Sequence, residues 1–424
     1  MAAPSNHPED WNGVEEDELG DEEVFLDPND VLEEIQVDGD APMDEDDDDE
    51  GGGGAIEDDA QVEDNSIQHF DGHAASVFAV AAHPSEPLAA SGGEDDVGYI
   101  WNVMHGELVV KLTGHTDSVS AVEWSFDGEM IATGGMDGRV RIWRRVGKTD
   151  WKNWEFVTEL QGPDEVKWLK WHPKGNVLLS GSNDATVWLW QLPSGNTMQV
   201  FAGHEGPVEC GAFTADGRRI ITGDVAGTLI FWDPRSTTPV WKMNAHSSRF
   251  NLPEGITSVA SNSTSTVAVV GGASGELRVV NLAKGEVVAV LEGHEQGQSV
   301  EAIEFVSWSN IAAAAQEIVA TGATDGKICI WDMTSMKLRA TVTHEDAITS
   351  IRASPVSTGS GHHITTSSAD KTLKTWDTRS GELLREHTGH KGPVLGATVG
   401  AFEEYVYIIS AGDDGVCLVF DAKI

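Results

Sequence analysis

Residues Gly114–Trp143 read GHTDSVSAVEWSFDGEMIATGGMDGRVRIW. A Gly-His opens the stretch, apolar and polar residues alternate through it, and Asp137 stands six positions before Trp143. Two turn signals, Phe126-Asp127-Gly128 and Met136-Asp137-Gly138, cut it into three short strands. Three such strands cannot bury both faces alone, so the unit must stack against copies of itself.

The copies are present. The first carries His73, Ser91, Asp95 and Trp101, and the second His115, Thr133, Asp137 and Trp143. A third lacks the Gly-His but keeps Ser180, Asp184 and Trp190. The fourth has Gly203-His204, Thr222 and Trp232, with Ala226 where the others place Asp. The fifth is worn: Ala245-His246, an insertion through Pro253-Glu254, then Ser274 and Val280. The sixth has His294, Thr321, Asp325 and Trp331, and the seventh His344, Thr366, Asp370 and Trp376. Gly389-His390, Ser410, Asp414 and Phe420 make the eighth. Seven further short apolar stretches separate the copies, as at Glu107–Leu112 and Glu382–His387, and one more, Ser66–Phe70, precedes the first. Lending that stretch to the last copy closes a ring of four-stranded units with a period of about 45 residues, the size of a propeller blade. The expectation is an all-β, eight-bladed β-propeller, or a seven-bladed one if the fifth copy is only a loop.

Gly-His…Ser/Thr…Asp…Trp spacing, recurring from Ser66 to Ile424, resembles the WD-repeat family. The resemblance implies that in each intact blade the Asp holds the His, the His holds the Ser/Thr hydroxyl, and the hydroxyl accepts from the Trp indole. The expected structural tetrads are His73/Ser91/Asp95/Trp101, His115/Thr133/Asp137/Trp143, His294/Thr321/Asp325/Trp331 and His344/Thr366/Asp370/Trp376. Blades three, four, five and eight depart from the pattern, so their networks should be partial or absent.

The charge is uneven. Of 424 residues, 70 are Asp or Glu and 27 Lys or Arg, a formal net charge of −43. Residues 1–64 hold 27 acids and no Lys or Arg, too little apolar surface to offset the entropy of ordering. They are expected to be a disordered acidic tail, broken by one apolar island from Val24 to Ile35; residues 65–424 form the propeller. Both parts repel phosphate backbones, so no direct nucleic-acid ligand is expected. Cys210, Cys329 and Cys417 show neither disulfide nor zinc spacing. No apolar run is long enough to span a bilayer, and no signal pattern is present. The expectation is a soluble cytoplasmic protein, with the nucleus as a second compartment, a monomer, without membrane contact.

A catalytic reading is disfavoured. Ser91, His73 and Asp95 are triad residue types, but the trio recurs around the ring, whereas a triad is a single site with its oxyanion hole. No phosphate-cradling GxxxxGK[ST] occurs, and His362-His363 sits in a Ser/Gly-rich turn. No enzyme, cofactor or metal is expected.

In a propeller the segment around each Gly-His and the turn holding each Asp emerge on one face. Residues beside those markers form a candidate acidic rim: Glu94, Asp117, Asp164, Glu165, Glu205, Glu209, Glu295, Glu301, Glu345, Asp346 and Asp413, interrupted by Lys167, Lys327, Lys371 and Lys391. Such a ring suits an Arg/Lys-rich peptide. SIQHFDGHAASVFAVAAHPSEPLAASGGEDD (66–96), VKWLKWHP (166–173), QSVEAIEF (298–305) and DDGVCLVF (413–420), with the acidic tail, are similar to the fungal WD-repeat assembly chaperones dedicated to the large-subunit ribosomal protein uL-sixteen (yeast L-ten), and to their animal relatives. That resemblance implies a non-catalytic ribosome-biogenesis factor. It would capture the basic N-terminal segment of the nascent ribosomal protein and meet the pre-60S or 60S subunit only through it. Asp117, Glu165, Glu301 and Asp413 match the acidic contacts in those relatives. Two other readings use the same surface: a histone- or chromatin-binding propeller, and a signalling or ubiquitin-ligase scaffold, which would need an Arg cluster on the rim.

Overall fold

The turns that punctuate Gly114–Trp143 produce strands Val119–Trp124, Met130–Gly135 and Val140–Arg145, with Trp154–Leu160 added outside them. Gly128 and Gly138 take φ of 71° and 73°, the left-handed region that glycine enters without strain. At Gly128 a Cβ would also lie 2.1 Å from Nε2 of His83, so this turn cannot accept a side chain. The computed structural model describes residues 63–147, 151–247, 249–307, 317–355 and 362–423. The acidic tail up to residue 62, with its apolar island, lies outside the described residues.

Eight antiparallel four-stranded sheets follow one another along the chain. The last is completed from the other end: Gln68–Phe70 pairs with Cys417–Asp421, Gln68 opposite Val419 and Phe70 opposite Cys417. First strands of successive sheets touch, and the eighth returns to the first, so these strands line the centre of a closed ring. The worn fifth copy is a full blade, Ile256–Ser261, Val267–Gly272, Leu277–Asn281 and Glu286–Leu291. The seven-bladed alternative is thereby excluded.

Burial follows the ring. Eight apolar clusters form, each drawn from two neighbouring blades; Leu88, Ile100 and Leu112 of blade one, for instance, pack with Val119, Ile131 and Trp143 of blade two. No blade owns its core, which is why one copy could not stand alone. Phe70 of the closing strand stacks on Trp101, centroids 5.1 Å apart and planes within 2°, fastening blade eight to blade one. On the opposite side His83 and His172 reach the turn of a neighbouring blade, Nε2–H donating to the carbonyls of Gly128 (3.2 Å) and Gly217 (3.0 Å).

Most blades also carry a bulge at the head of the first strand, where Phe78, Ser120, Lys167, Thr257, Glu301, Thr349 and Leu395 drop out of the ladder. Ser120, Thr257 and Thr349 use the freed geometry to donate to the next blade's Val166, Val300 and Val394 carbonyls, each at 2.7 Å. Asn262-Ser263-Thr264 has the pattern of an N-glycosylation acceptor, but in the fold the Asn262 side chain is buried and its amide donates to Thr264, Thr266 and Glu317.

Candidate functional site: the rim of the ring

Two layers make the face that carries the Gly-His segments: a buried scaffold and the charges it holds out. In the scaffold, His73 Nδ1–H donates to Asp95 at 3.0 Å, and its Nε2 accepts the Ser91 hydroxyl at 2.8 Å. The same pair of bonds recurs at His115 (Asp137, Thr133), His294 (Asp325, Thr321), His344 (Asp370, Thr366) and His390 (Asp414, Ser410). Burial pushes the His73, His115 and His294 imidazoles below their ordinary value, despite the neighbouring carboxylate. Burial works against ionisation of Asp137, Asp370 and Asp414 too, but bonds from His and backbone N–H outweigh it and hold these carboxyls low.

The fourth member is less regular. Trp331 and Trp376 donate to Thr321 (3.0 Å) and Thr366 (2.9 Å) as expected. Trp101 and Trp143 do not: their buried indole N–H groups have no partner among the described residues. Their rings are set by aromatic packing instead, Trp101 flat on Phe70 and Trp143 edge-on to Phe156 at 5.3 Å.

Blade four corrects a second expectation. Despite Ala226, its network is complete: His204 donates to Asp224 at 2.8 Å, accepts from Thr222 at 2.6 Å, and Trp232 donates to Thr222 at 2.9 Å. Asp224 stands two positions before the usual Asp. The signal was in the repeat, because the equivalent residues are small; at Gly93, Gly135 and Gly412 a Cβ would lie 3.0, 2.6 and 2.4 Å from the histidine Nδ1. A carboxylate grown from that position lands on the imidazole. Blade three, without a histidine, uses the Ser182 hydroxyl to accept the N–H of Asp164 (3.0 Å) and Asp184 (3.3 Å). Blade five leaves His246 exposed. Buried Leu252 takes the imidazole's place, 3.0 Å from where a Cβ on Gly272 would lie, and buried Arg278 ties the loop by donating to the carbonyls of Phe250 (2.6 Å) and Asn251 (3.0 Å).

The scaffold fixes the rim. In every blade the turn after the second strand donates a backbone N–H to the segment before the first: Glu94 to Ser76, Met136 to Ser118, Asn183 to Glu165, Val225 to Pro207, Ala273 to Gly255, Thr324 to Ser299, Ala369 to Ala347 and Asp413 to Pro393. Both sets of loops therefore share one face. Glu94, Asp117, Asp164, Glu205, Glu295, Glu301, Glu345, Asp346 and Asp413 are exposed there, and Glu165 and Glu209 half-buried. Glu301 is the bulge residue of its strand, turned out where Ser120 and Thr257 are tied in.

Not all of this charge is available. Lys242, which sequence reasoning missed, pairs with Glu205 at 2.9 Å, and Lys327 with Glu295 at 2.7 Å. Lys167 lies between Glu165 (3.9 Å) and Glu209 (3.6 Å). Among the described residues Glu94, Asp117, Asp164, Glu301, Glu345, Asp346 and Asp413 have no cationic partner. Asp413 instead accepts the Ser76 hydroxyl across the blade eight–blade one seam at 2.8 Å. Further along the inner strands charge is balanced, with Glu123 3.5 Å from Lys170 and Glu304 beside Arg352. The negative field thus belongs to the mouth. Trp168 takes no part in it: its indole donates to Val208 at 2.9 Å and its ring covers Gly181 and Gly211. His362, His363 and Asp377 come close together on blade seven, but Arg379 occupies the Asp377 carboxylate at 2.7 Å.

The WD40 family (WD domain, G-beta repeat) matches residues 64–102, 106–144, 154–191, 195–233, 285–332 and 336–377. The chain belongs to this family. The match passes over blades five and eight, the two whose Trp position holds Val280 and Phe420. An uncharacterized WD repeat-containing protein of Schizosaccharomyces pombe is 38% identical over 97% of this chain and 100% of its own length. Human angio-associated migratory cell protein is 30% identical over 78% of this chain and 75% of its own. A crystal structure of Chaetomium thermophilum Sqt1 bound to the N-terminus of the ribosomal protein L10 superposes with a TM-score of 0.77 at 29% identity, covering 85% of this chain and 100% of that one.

Proposed function

We propose that this WD40 protein is a ribosome-assembly chaperone. It captures the basic N-terminal segment of a nascent large-subunit ribosomal protein of the L10 (uL-sixteen) type on its acidic rim and carries it to the 60S subunit. The observation that carries the reading is the rim itself: seven acids, contributed by six blades, that have no cationic partner among the described residues, around the mouth of a fold shared with an L10-bound Sqt1. Charge-assisted bonds from carboxylates to Arg and Lys are short and strong, and an acidic mouth speeds encounter with a cationic chain.

The action is stoichiometric, as a monomer in the cytoplasm and nucleus, without catalysis or cofactor. Ser91, Thr133, Thr321, Thr366 and Ser410 are fully buried, so no substrate can meet these hydroxyls. Capture shields a segment that would otherwise bind RNA indiscriminately; release follows when rRNA competes for the same cations. Tagged protein isolated during active translation should co-purify a nascent L10-type chain above all others. Enrichment of histones in its place would move the assignment to chromatin.

A further inference from the structure

We propose that the groove between blades three and four, on the face opposite the acidic rim, is a second binding site, for an acidic peptide segment carrying an apolar side chain. The turn Asp216–Arg219 joins the first two strands of blade four, and Asp233–Arg235 leaves its third strand; both lie at the ends of the strands remote from the Gly-His loops. Together with the blade three edge they enclose a cavity of about 630 Å³.

Its walls are out of character with the rest of the molecule. In a chain with 27 basic residues against 70 acidic ones, Arg218, Arg219 and Arg235 converge on one groove. The two carboxylates beside them are already committed. Asp216 accepts the Thr214 hydroxyl at 2.7 Å and the Arg218 N–H at 3.0 Å. Asp233 accepts the Arg235 N–H at 3.0 Å and pairs with Arg219 at 3.1 Å. The Arg235 guanidinium is left with no partner among the described residues, and the Arg218 side chain, 82% exposed, reaches Asp216 only at 3.8 Å. The floor is apolar, formed by Leu189 and Phe213, with Met198 47% exposed at its edge. Arginines above an apolar floor suit a segment with carboxylates on either side of one hydrophobic anchor. Because the rim's field is on the other face, a basic client and an acidic partner can be held at once.

The test is fluorescence anisotropy of the full chain with a labelled peptide of about 10 residues, Phe-Leu flanked by Asp and Glu, against its Asn/Gln counterpart. Saturable binding should weaken about tenfold in an Arg218→Glu/Arg235→Glu variant, and by a similar factor for the Asn/Gln peptide. An Asp117→Lys/Glu301→Lys variant should bind the acidic peptide at least as well as wild type, which separates this site from the rim. Both arginines are solvent-facing, and an unchanged thermal midpoint shows that the variant folds. Undiminished binding by the arginine variant, equal binding of the neutral peptide, or no saturable binding at about 1 mM overturns the proposal.

Discussion

Asp224 offers the sharpest structural test, because one substitution should change sign with its background. The carboxylate is fully buried and accepts three bonds: His204 Nδ1–H at 2.8 Å, the Glu205 N–H at 3.0 Å and the Thr228 N–H at 2.7 Å. Asp224→Ala strands all three donors. The Glu205 N–H is near the surface and can find water, so two dry donors remain, each costing about 1–3 kcal/mol, for a total of about 3–5 kcal/mol with the lost packing. Ala226→Asp made on top of it restores the carboxylate of the other blades, which reaches the histidine at 2.8–3.3 Å. At least half of the loss should return. The same Ala226→Asp in wild type sets a second carboxylate beside Asp224 and should destabilise by about 1–2 kcal/mol. Urea unfolding followed by tryptophan fluorescence reports the four corners, with Trp232, bonded to Thr222, as a local probe. A cost below about 1 kcal/mol for Asp224→Ala, or no rescue, would refute the substitution of one Asp for the other.

Acidification provides another test. Burial lowers the His83 and His387 pKa to about 4 from 6.5, so the unfolded chain binds more protons between those values and stability falls as pH drops through that window. Each contributes up to about 3 kcal/mol, and in pH-resolved urea titrations a His83→Asn variant, weaker at neutral pH, should show the shallower fall. Arg278→Met orphans the carbonyls of Phe250 and Asn251 and should cost about 2–3 kcal/mol by the same assay, whereas an exposed arginine such as Arg218 should cost almost nothing. Removing residues 63–70 bares the edge of Cys417–Asp421 and the face of Trp101, and light scattering should then report association that wild type lacks at equal concentration.

Much of this architecture was legible because the repeat is a physical necessity repeated eight times. Glu382–His387 could be placed to the residue, and the closing role of Ser66–Phe70 followed from a strand count, since a last blade without its outer strand leaves a bare edge. What escaped depends on which way a side chain points. Spacing alone points to Ala226, whereas the position of Asp224, two residues earlier, faces the same imidazole. Trp101 and Trp143 kept the family letter while aromatic neighbours fixed their rings elsewhere. Blade five lacks the Asp and Trp markers and leaves His246 exposed, and it still folds, because a buried arginine satisfies the loop that a histidine network ties down in other blades. On the rim, exposure of the acids was readable from the loops that carry them. The bulge that turns Glu301 outward and the reach of Lys242 across to Glu205 belong to three-dimensional geometry, invisible to a linear pattern. The basic groove on the far face was hidden for the same reason: Arg218, Arg219 and Arg235 sit in two separate turns.

The central claim, that an acidic mouth grips a cationic polypeptide, is tested most directly by calorimetric titration of the full chain with a peptide of the L10-type N-terminus, repeated at rising salt. Binding should be one to one, weaken about tenfold or more between roughly 50 and 300 mM salt, and disappear in the Asp117→Lys/Glu301→Lys variant. Affinity that ignores both salt and those two reversals would contradict the account.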